Sequence, residues 1–263
     1  MKFLFLILLP VLALAQPNCN AFLYKGDTLQ YKACKLTEEV RFSQFDNRFH
    51  DIFNEALKIC PYYAYAYREK STAYLKSGDF INWKILIDQA VKYDTLGNLG
   101  YRGWCRFQFF RDYQVAINDI EQLEKQFPYD TGYGANGHFH LSITKAMCYS
   151  MLGNKQKAIT IIQKQLQVKN YEAGLYDYFQ LGANYFALKD YKNALKYFDL
   201  QSSKYEIADN LFYKAKVYKI LNDKIAYENS KTKALKLYNE GKKMVDDYTV
   251  YPNKIYLEDI TNE

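Results

Sequence analysis

The 263 residues carry 35 basic and 29 acidic side chains, and the resulting net charge of +6 is mild for a chain this long. Basic residues are scattered in small groups such as Lys155/Lys157 and Lys231/Lys233/Lys236, not massed into one patch, which argues against a nucleic-acid partner. Beyond the first fifteen positions no apolar run approaches the roughly 18 residues of a spanning helix, so a chain that does not span the membrane is expected.

The N-terminus has the form of a secretory signal peptide. Lys2 supplies a short positive region, Phe3 to Leu14 an apolar one, and Ala13-Leu14-Ala15 a small-residue cleavage site. Cleavage after Ala15 leaves 263 − 15 = 248 residues, which fits one domain, and predicts a secreted or periplasmic protein. Cys19 is preceded by Gln16-Pro17-Asn18, which is not a lipid-attachment sequence.

Five cysteines in an exported chain leave at least one unpaired. Cys19 and Cys34 flank the polar turn Lys25-Gly26-Asp27-Thr28, in a segment (16–48) too poor in apolar residues to be more than an N-terminal cap. A disulfide between them would staple that cap, at roughly 3 kcal/mol for a loop of about fifteen residues. Cys60, Cys105 and Cys148 lie among apolar residues and read as buried free thiols.

Further along, Phe49, Phe53, Ala56 and Pro61 read as one helix of a pair whose first member is degraded. A short turn then recurs as Gly78-Asp79-Phe80, Arg111-Asp112-Tyr113, Gly153-Asn154-Lys155, Lys189-Asp190-Tyr191 and Asn222-Asp223-Lys224, with its third residues 33, 42, 36 and 33 positions apart. The central Asp or Asn is placed to cap a following helix. Around these turns fall Tyr67, Ser71, Tyr74, Trp83, Ile87 and Ala90, then Ala146, Tyr149, Ala158 and Ile162, then Leu211, Ala215, Tyr218, Tyr227 and Ala234. In this last pair Tyr227 and Lys231 replace the small and aromatic residues expected, so its second helix is predicted to face solvent or a cap. The pair around Arg111 is irregular. Tyr101, Trp104 and Cys105 fit one register, while Phe107, Ala116, Ile120 and Pro128 fit another shifted by one.

The clearest copy runs from Leu175 to Gln201, with Tyr178, Leu181-Gly182, Tyr185, Ala194 and Phe198. This spacing resembles the tetratricopeptide repeat (TPR), a helix–turn–helix unit of 34 residues. Gly182 and Ala194 are small where the two helices would cross. One hairpin cannot bury its apolar faces alone, so the resemblance implies an all-α, right-handed α-solenoid of about five hairpins over 49–240, closed by a C-terminal cap and tail over 241–263. After Gly241 a polar last helix to about Asp247 is expected, followed by a tail that packs Tyr251, Ile255 and Tyr256 onto the last repeat.

Catalytic signals are weak. Gly132-Tyr133-Gly134-Ala135-Asn136-Gly137 spells a G-x-G-x-x-G, but no strand precedes it, so it reads as a long flexible loop whose Tyr129 and Tyr133 could touch a partner. His138 and His140 would point to different faces of a helix, and neither joins a metal-ligand cluster. No nucleophile constellation is specified, so no enzyme, metal or cofactor is expected.

What the resemblance implies instead is binding, on a groove lined by the first helix of each pair. Transferred by register, the groove residues are Tyr65, Arg68 and Thr72; Arg102, Arg106 and Phe109; Met147; Tyr176 and Phe179; and Phe212 and Lys216. Arg102 and Arg106 share a face in either register and suit an anionic contact. The expected ligand is a protein or peptide segment, acidic in part, bound by a scaffold of the envelope or extracellular space. Arg68 and Thr72 lack the asparagine of the family's chaperone-binding carboxylate clamp. The alternative is an aromatic-lined glycan-binding protein, since bacterial outer-membrane glycan-binding lipoproteins are also built around such repeats.

Overall fold

The computed structural model describes residues 17–128 and 130–263. The segment expected to be a signal peptide and Tyr129 lie outside the described residues. The chain forms two compact units, one ending at Thr95 and one spanning Leu96–Glu263.

In the first unit, α1 (Cys19–Tyr24), α2 (Thr28–Thr37) and α3 (Asn47–Ile59) precede the pair α4 (Ala64–Ser77) and α5 (Phe80–Tyr93). Cys19 and Cys34 are bonded, with their Cα atoms 5.5 Å apart, and tie α1 to α2. Both are buried in a core with Phe49, Phe53, Ala56, Cys60 and Tyr63. Cys60, Cys105 and Cys148 are buried and form no disulfide.

The second unit begins with α6 (Thr95–Cys105), whose start falls on the unit boundary. It continues as a π-helical turn over Arg106–Phe110, then α7 (Tyr113–Gln126), α8 (Leu141–Met151), α9 (Lys155–Leu166), α10 (Asp177–Ala187), α11 (Tyr191–Lys204), α12 (Ala208–Ile220), α13 (Lys224–Asn239) and α14 (Leu257–Thr261). Within it α8/α9, α10/α11 and α12/α13 pack as consecutive antiparallel pairs, each also touching the pair before it. Among the described residues no β-strand forms; a single bridge joins Tyr133 to His140. Gly182 lies so close to α11 that a Cβ there would meet the Phe198 ring at 2.5 Å, which accounts for the small residue at this crossing.

The recurring turn has one geometry in all five copies. Its first residue is left-handed (Gly78, Arg111, Gly153, Lys189 and Asn222, with φ between 56° and 86°) and ends one helix. Its second residue starts the next. Asp79, Asn154, Asp190 and Asp223 accept the backbone N–H three residues on, at 3.0–3.3 Å. Asp112 is the exception, because Arg106 holds its carboxylate at 2.9 Å.

The irregular pair is explained by the π turn. Its wider winding accommodates one extra residue, so Trp104 and Cys105 keep the register before it while Phe107 follows the register after it. Both readings of the sequence hold, each on its own side of the turn.

Three expectations are corrected. The polar last helix expected after Gly241 does not form: α13 ends at Asn239, Gly241 turns the chain at φ 77°, and 242–247 is irregular. The glycine loop is packed, not flexible, since Gly134 abuts the Trp104 ring so tightly that a Cβ would lie 2.3 Å from it. His138 and His140 do not share a helix; His138 is in that loop and His140 caps α8 through Ser142 N. Of the two surroundings expected for the second helix of the last pair, the cap is found in part: Ala234 and Leu237 are buried with Ile255 and Ile260 of the C-terminal segment, while Tyr227 and Lys231 stay half-exposed.

Candidate ligand-binding faces

In the first unit the face of α4 opens onto a cavity of about 780 Å³ beneath the 38–46 loop. Its walls include Phe42, Phe49, Phe53 and Tyr65, with Arg68 and Glu69 beside them. Phe53, Tyr65 and Tyr63 pack ring to ring at 5.9–6.1 Å. The loop is held by Lys76 Nζ, which donates to Gln44 Oε1 at 2.8 Å, and by the Arg48 guanidinium, 4.1 Å from the Phe42 ring centre. Burial pushes the Glu69 carboxyl above its ordinary value, against the pull of Arg68 and Lys76. Thr72 turns its hydroxyl to the Arg68 carbonyl at 3.1 Å. Tyr65, Arg68 and Thr72 thus share α4, and the first two border the cavity. Glu69, Phe42 and Gln44 were not singled out from the sequence, because a loop outside the repeat pattern brings the latter two there.

In the second unit the groove residues meet a different fate. Arg102 makes a two-pronged ion pair with Asp119, Nη2 to Oδ1 at 2.6 Å and Nε to Oδ2 at 2.9 Å. Arg106 pairs with Asp112 and lies 3.5 Å from the same Asp119. Asp119 is 3 % exposed. The two arginines therefore neutralise a buried carboxylate between α6 and α7, and they are neither solvated charges nor an open anion site. Phe109 packs edge-on against Trp104 at 5.5 Å.

Met147, Tyr176, Phe179 and Phe212, expected on the groove surface, are all buried. Phe179 lies beneath Phe198 and Tyr213, at 6.1 and 5.4 Å. Lys216 stands over the rings of Phe186 and Phe212, 5.6 Å from each, with Tyr213 at 5.9 Å. Tyr176 is covered by Tyr251 of the C-terminal segment. Residues 242–256 leave α13 and run back across the first helices of this unit. Lys242 O accepts the Ala208 amide at the start of α12 (2.8 Å). Asp209 Oδ2 accepts Met244 N (2.8 Å) and its Oδ1 accepts Ile255 N (3.0 Å). Gln180 of α10 donates to Pro252 O (3.1 Å) and accepts from Asn253 Nδ2 (2.8 Å). The segment expected to end on the last repeat thus reaches the Gln108 side chain in the π turn, 2.6 Å from Thr249 Oγ1.

Among the described residues no group of three or more His, Cys, Asp or Glu is arranged to hold a metal ion. His140 Nε2 meets Asp130 Oδ1 at 2.8 Å, beside a smaller cavity of about 340 Å³.

Helix hairpins following one another along the chain, each turning through a left-handed residue and four of the five capped by the next side chain, are the all-α helical-repeat fold of the tetratricopeptide class. Solved structures agree. The chain superposes on pilF of Pseudomonas aeruginosa with a TM-score of 0.56 at 14 % identity, covering 84 % of this chain and 89 % of that one. PilW, a widely conserved type IV pilus biogenesis factor, gives 0.57 at 14 % identity over 84 % and 90 %. The Cut9–Hcn1 hetero-tetramer of the APC/C gives 0.51 at 15 % over 84 % of this chain and 42 % of that one. No family model matches the sequence, and no curated protein does. At such identities the likeness concerns the fold. No helix among the described residues is long and apolar enough to cross a membrane.

Proposed function

We propose that this chain is a non-catalytic scaffold, exported to the envelope or the extracellular space, that binds a segment of a partner protein at the cavity on α4. The observation that carries this reading is a cavity of about 780 Å³, walled by four aromatic rings and flanked by Arg68 and Glu69, on the first helix of a repeat. That volume and mixture of apolar wall with few polar groups is ordinary for a recognition site. Export is supported by the Cys19–Cys34 bond, which suits an oxidising compartment, and by the pilus-biogenesis role of PilW. Because Arg102 and Arg106 are engaged by Asp112 and Asp119, they lend no support to an acidic preference of the ligand.

A photo-crosslinking residue at Arg68 should capture one partner from envelope extract, and a Phe42→Ala/Arg68→Ala chain with an unchanged melt should lose it. Retention by that variant would move the interface off α4. The aromatic wall equally favours the flat face of a sugar ring. Saturable binding on a glycan array, abolished by Phe42→Ala, would replace the peptide reading with a glycan one.

A further inference from the structure

The second unit holds two buried polar side chains, and one half-buried, whose partners come from one distant piece of chain. Asp209 is fully buried on α12, and both its oxygens accept main-chain amides of the C-terminal segment. Gln180, 1 % exposed on α10, gives its amide to one carbonyl there and its oxygen to one side-chain amide. Asn136 donates to Asp246 Oδ2 at 3.0 Å and to the Tyr251 hydroxyl at 2.8 Å. Tyr251 itself fits among His138, Phe139 and Tyr176, with ring centres 5.8, 5.2 and 6.1 Å away, and His138 Nδ1 also bonds its hydroxyl.

Buried carboxylates and amides are costly without partners, and apolar residues would have served a plain helix-packing surface better. These instead present acceptors and donors to a passing backbone, with a pocket for one aromatic side chain. That is the chemistry of a groove receiving a peptide. The occupant here is the chain itself.

We infer that residues 244–256 are a resident, displaceable ligand of this groove. An outside segment with the same pattern, an aromatic residue followed by Pro-Asn and an aliphatic residue two positions on, binds the second unit only by exchanging with them. The inference rests on the peptide-binding reading above, but it concerns a different face, so its failure leaves the α4 cavity untouched. An intramolecular occupant competes at high effective concentration, so a free peptide binds the native chain weakly until the strap is loosened.

A fluorescent peptide of residues 244–256 is titrated into the full-length native chain and into a full-length Tyr251→Ala/Asn253→Ala variant. The variant is expected to bind one peptide at least tenfold more tightly than the native chain. A peptide carrying the same two alanines should bind neither. A variant that keeps the native helical signal and cooperative melt but takes no peptide, or takes it no better than the native chain, overturns the inference. Should the variant fail to fold, hydrogen exchange on the native chain decides. The Met244 and Ile255 amides are then expected to exchange at least a hundredfold faster than those inside α10. Exchange of both only through global unfolding makes the strap a fixed structural part and ends the inference.

Discussion

Helix α4 in the first unit and helix α10 in the second occupy equivalent places in their repeats, yet one faces a cavity and the other lies beneath a strap. Arg68 and Phe179 hold corresponding register positions. Arg68 borders open space beneath the 38–46 loop, while Phe179 is sealed by Tyr213 and Phe198. The repeat register fixes the direction in which a side chain points. Whether that direction is open depends on what packs against it: a cap loop arches over α4, rings of the neighbouring helices α11 and α12 close over Phe179, and the C-terminal tail covers Tyr176.

The strongest way to break this comparison is at Asp209. Asp209→Ala leaves the Met244 and Ile255 amides buried without an acceptor, at about 1–3 kcal/mol each. The second unit should lose roughly 3–5 kcal/mol in denaturant melts, while α4 keeps its native hydrogen exchange. A loss below about 1 kcal/mol would mean the strap contributes little. The matching test in the first unit is the disulfide. Cys19→Ser/Cys34→Ser should cost about 3 kcal/mol for a span of 15 residues, read as faster exchange in α2 and α3. The native chain should titrate as three free thiols.

A smaller contrast lies in pH, where Glu69 beside the cavity and Asp246 in the strap have opposite signs. Burial raises Glu69, so its contribution to stability is present below its unfolded value near 4.5 and is lost as pH rises through its folded value. Glu69→Gln should therefore slow exchange in α4 at pH 7 and have no effect below about pH 4. For Asp246 burial acts upward, but the amides of Tyr248 and Thr249, the Tyr251 hydroxyl and Asn136 outweigh it and hold it low. Its contribution is present above its unfolded value near 3.8 and is lost as pH falls through its folded value. Asp246→Asn should loosen the strap at pH 7, with the difference disappearing in strong acid. Equal signs for the two variants would refute the assignment.

The smallest effect is expected where the two units agree. Gly78 ends α4 in a left-handed conformation, and Lys189 adopts the same conformation after α10 without glycine's freedom. Lys189 is exposed, so Lys189→Gly should stabilise the second unit by about 0.5–1 kcal/mol. A destabilised variant would show that the Lys189 side chain has a packing role.

Most of the helices were legible because local rules repeat along the chain. Asp79, Asn154, Asp190 and Asp223 cap helices through bonds three residues long, and Gly182 must be small because Phe198 crosses it. The irregularity of the pair around Arg111 was legible only as two registers shifted by one; the π turn over Arg106–Phe110 that reconciles them was not. The Cys19–Cys34 pair followed from a short polar turn between two cysteines.

The open or closed state of each binding face was not legible. Asp119 is distant in sequence from the arginines it neutralises, and the partners of Asp209, Gln180 and Asn136 lie 35 to 115 positions further along. Periodicity and caps are set by neighbours within a few residues, so the sequence alone determined the helical repeats and the direction each side chain faces. Which of those faces stays open was decided only in the folded chain. Burial and ion pairing depend on segments that meet in space, and nothing in the local spacing announces where a tail will lie down.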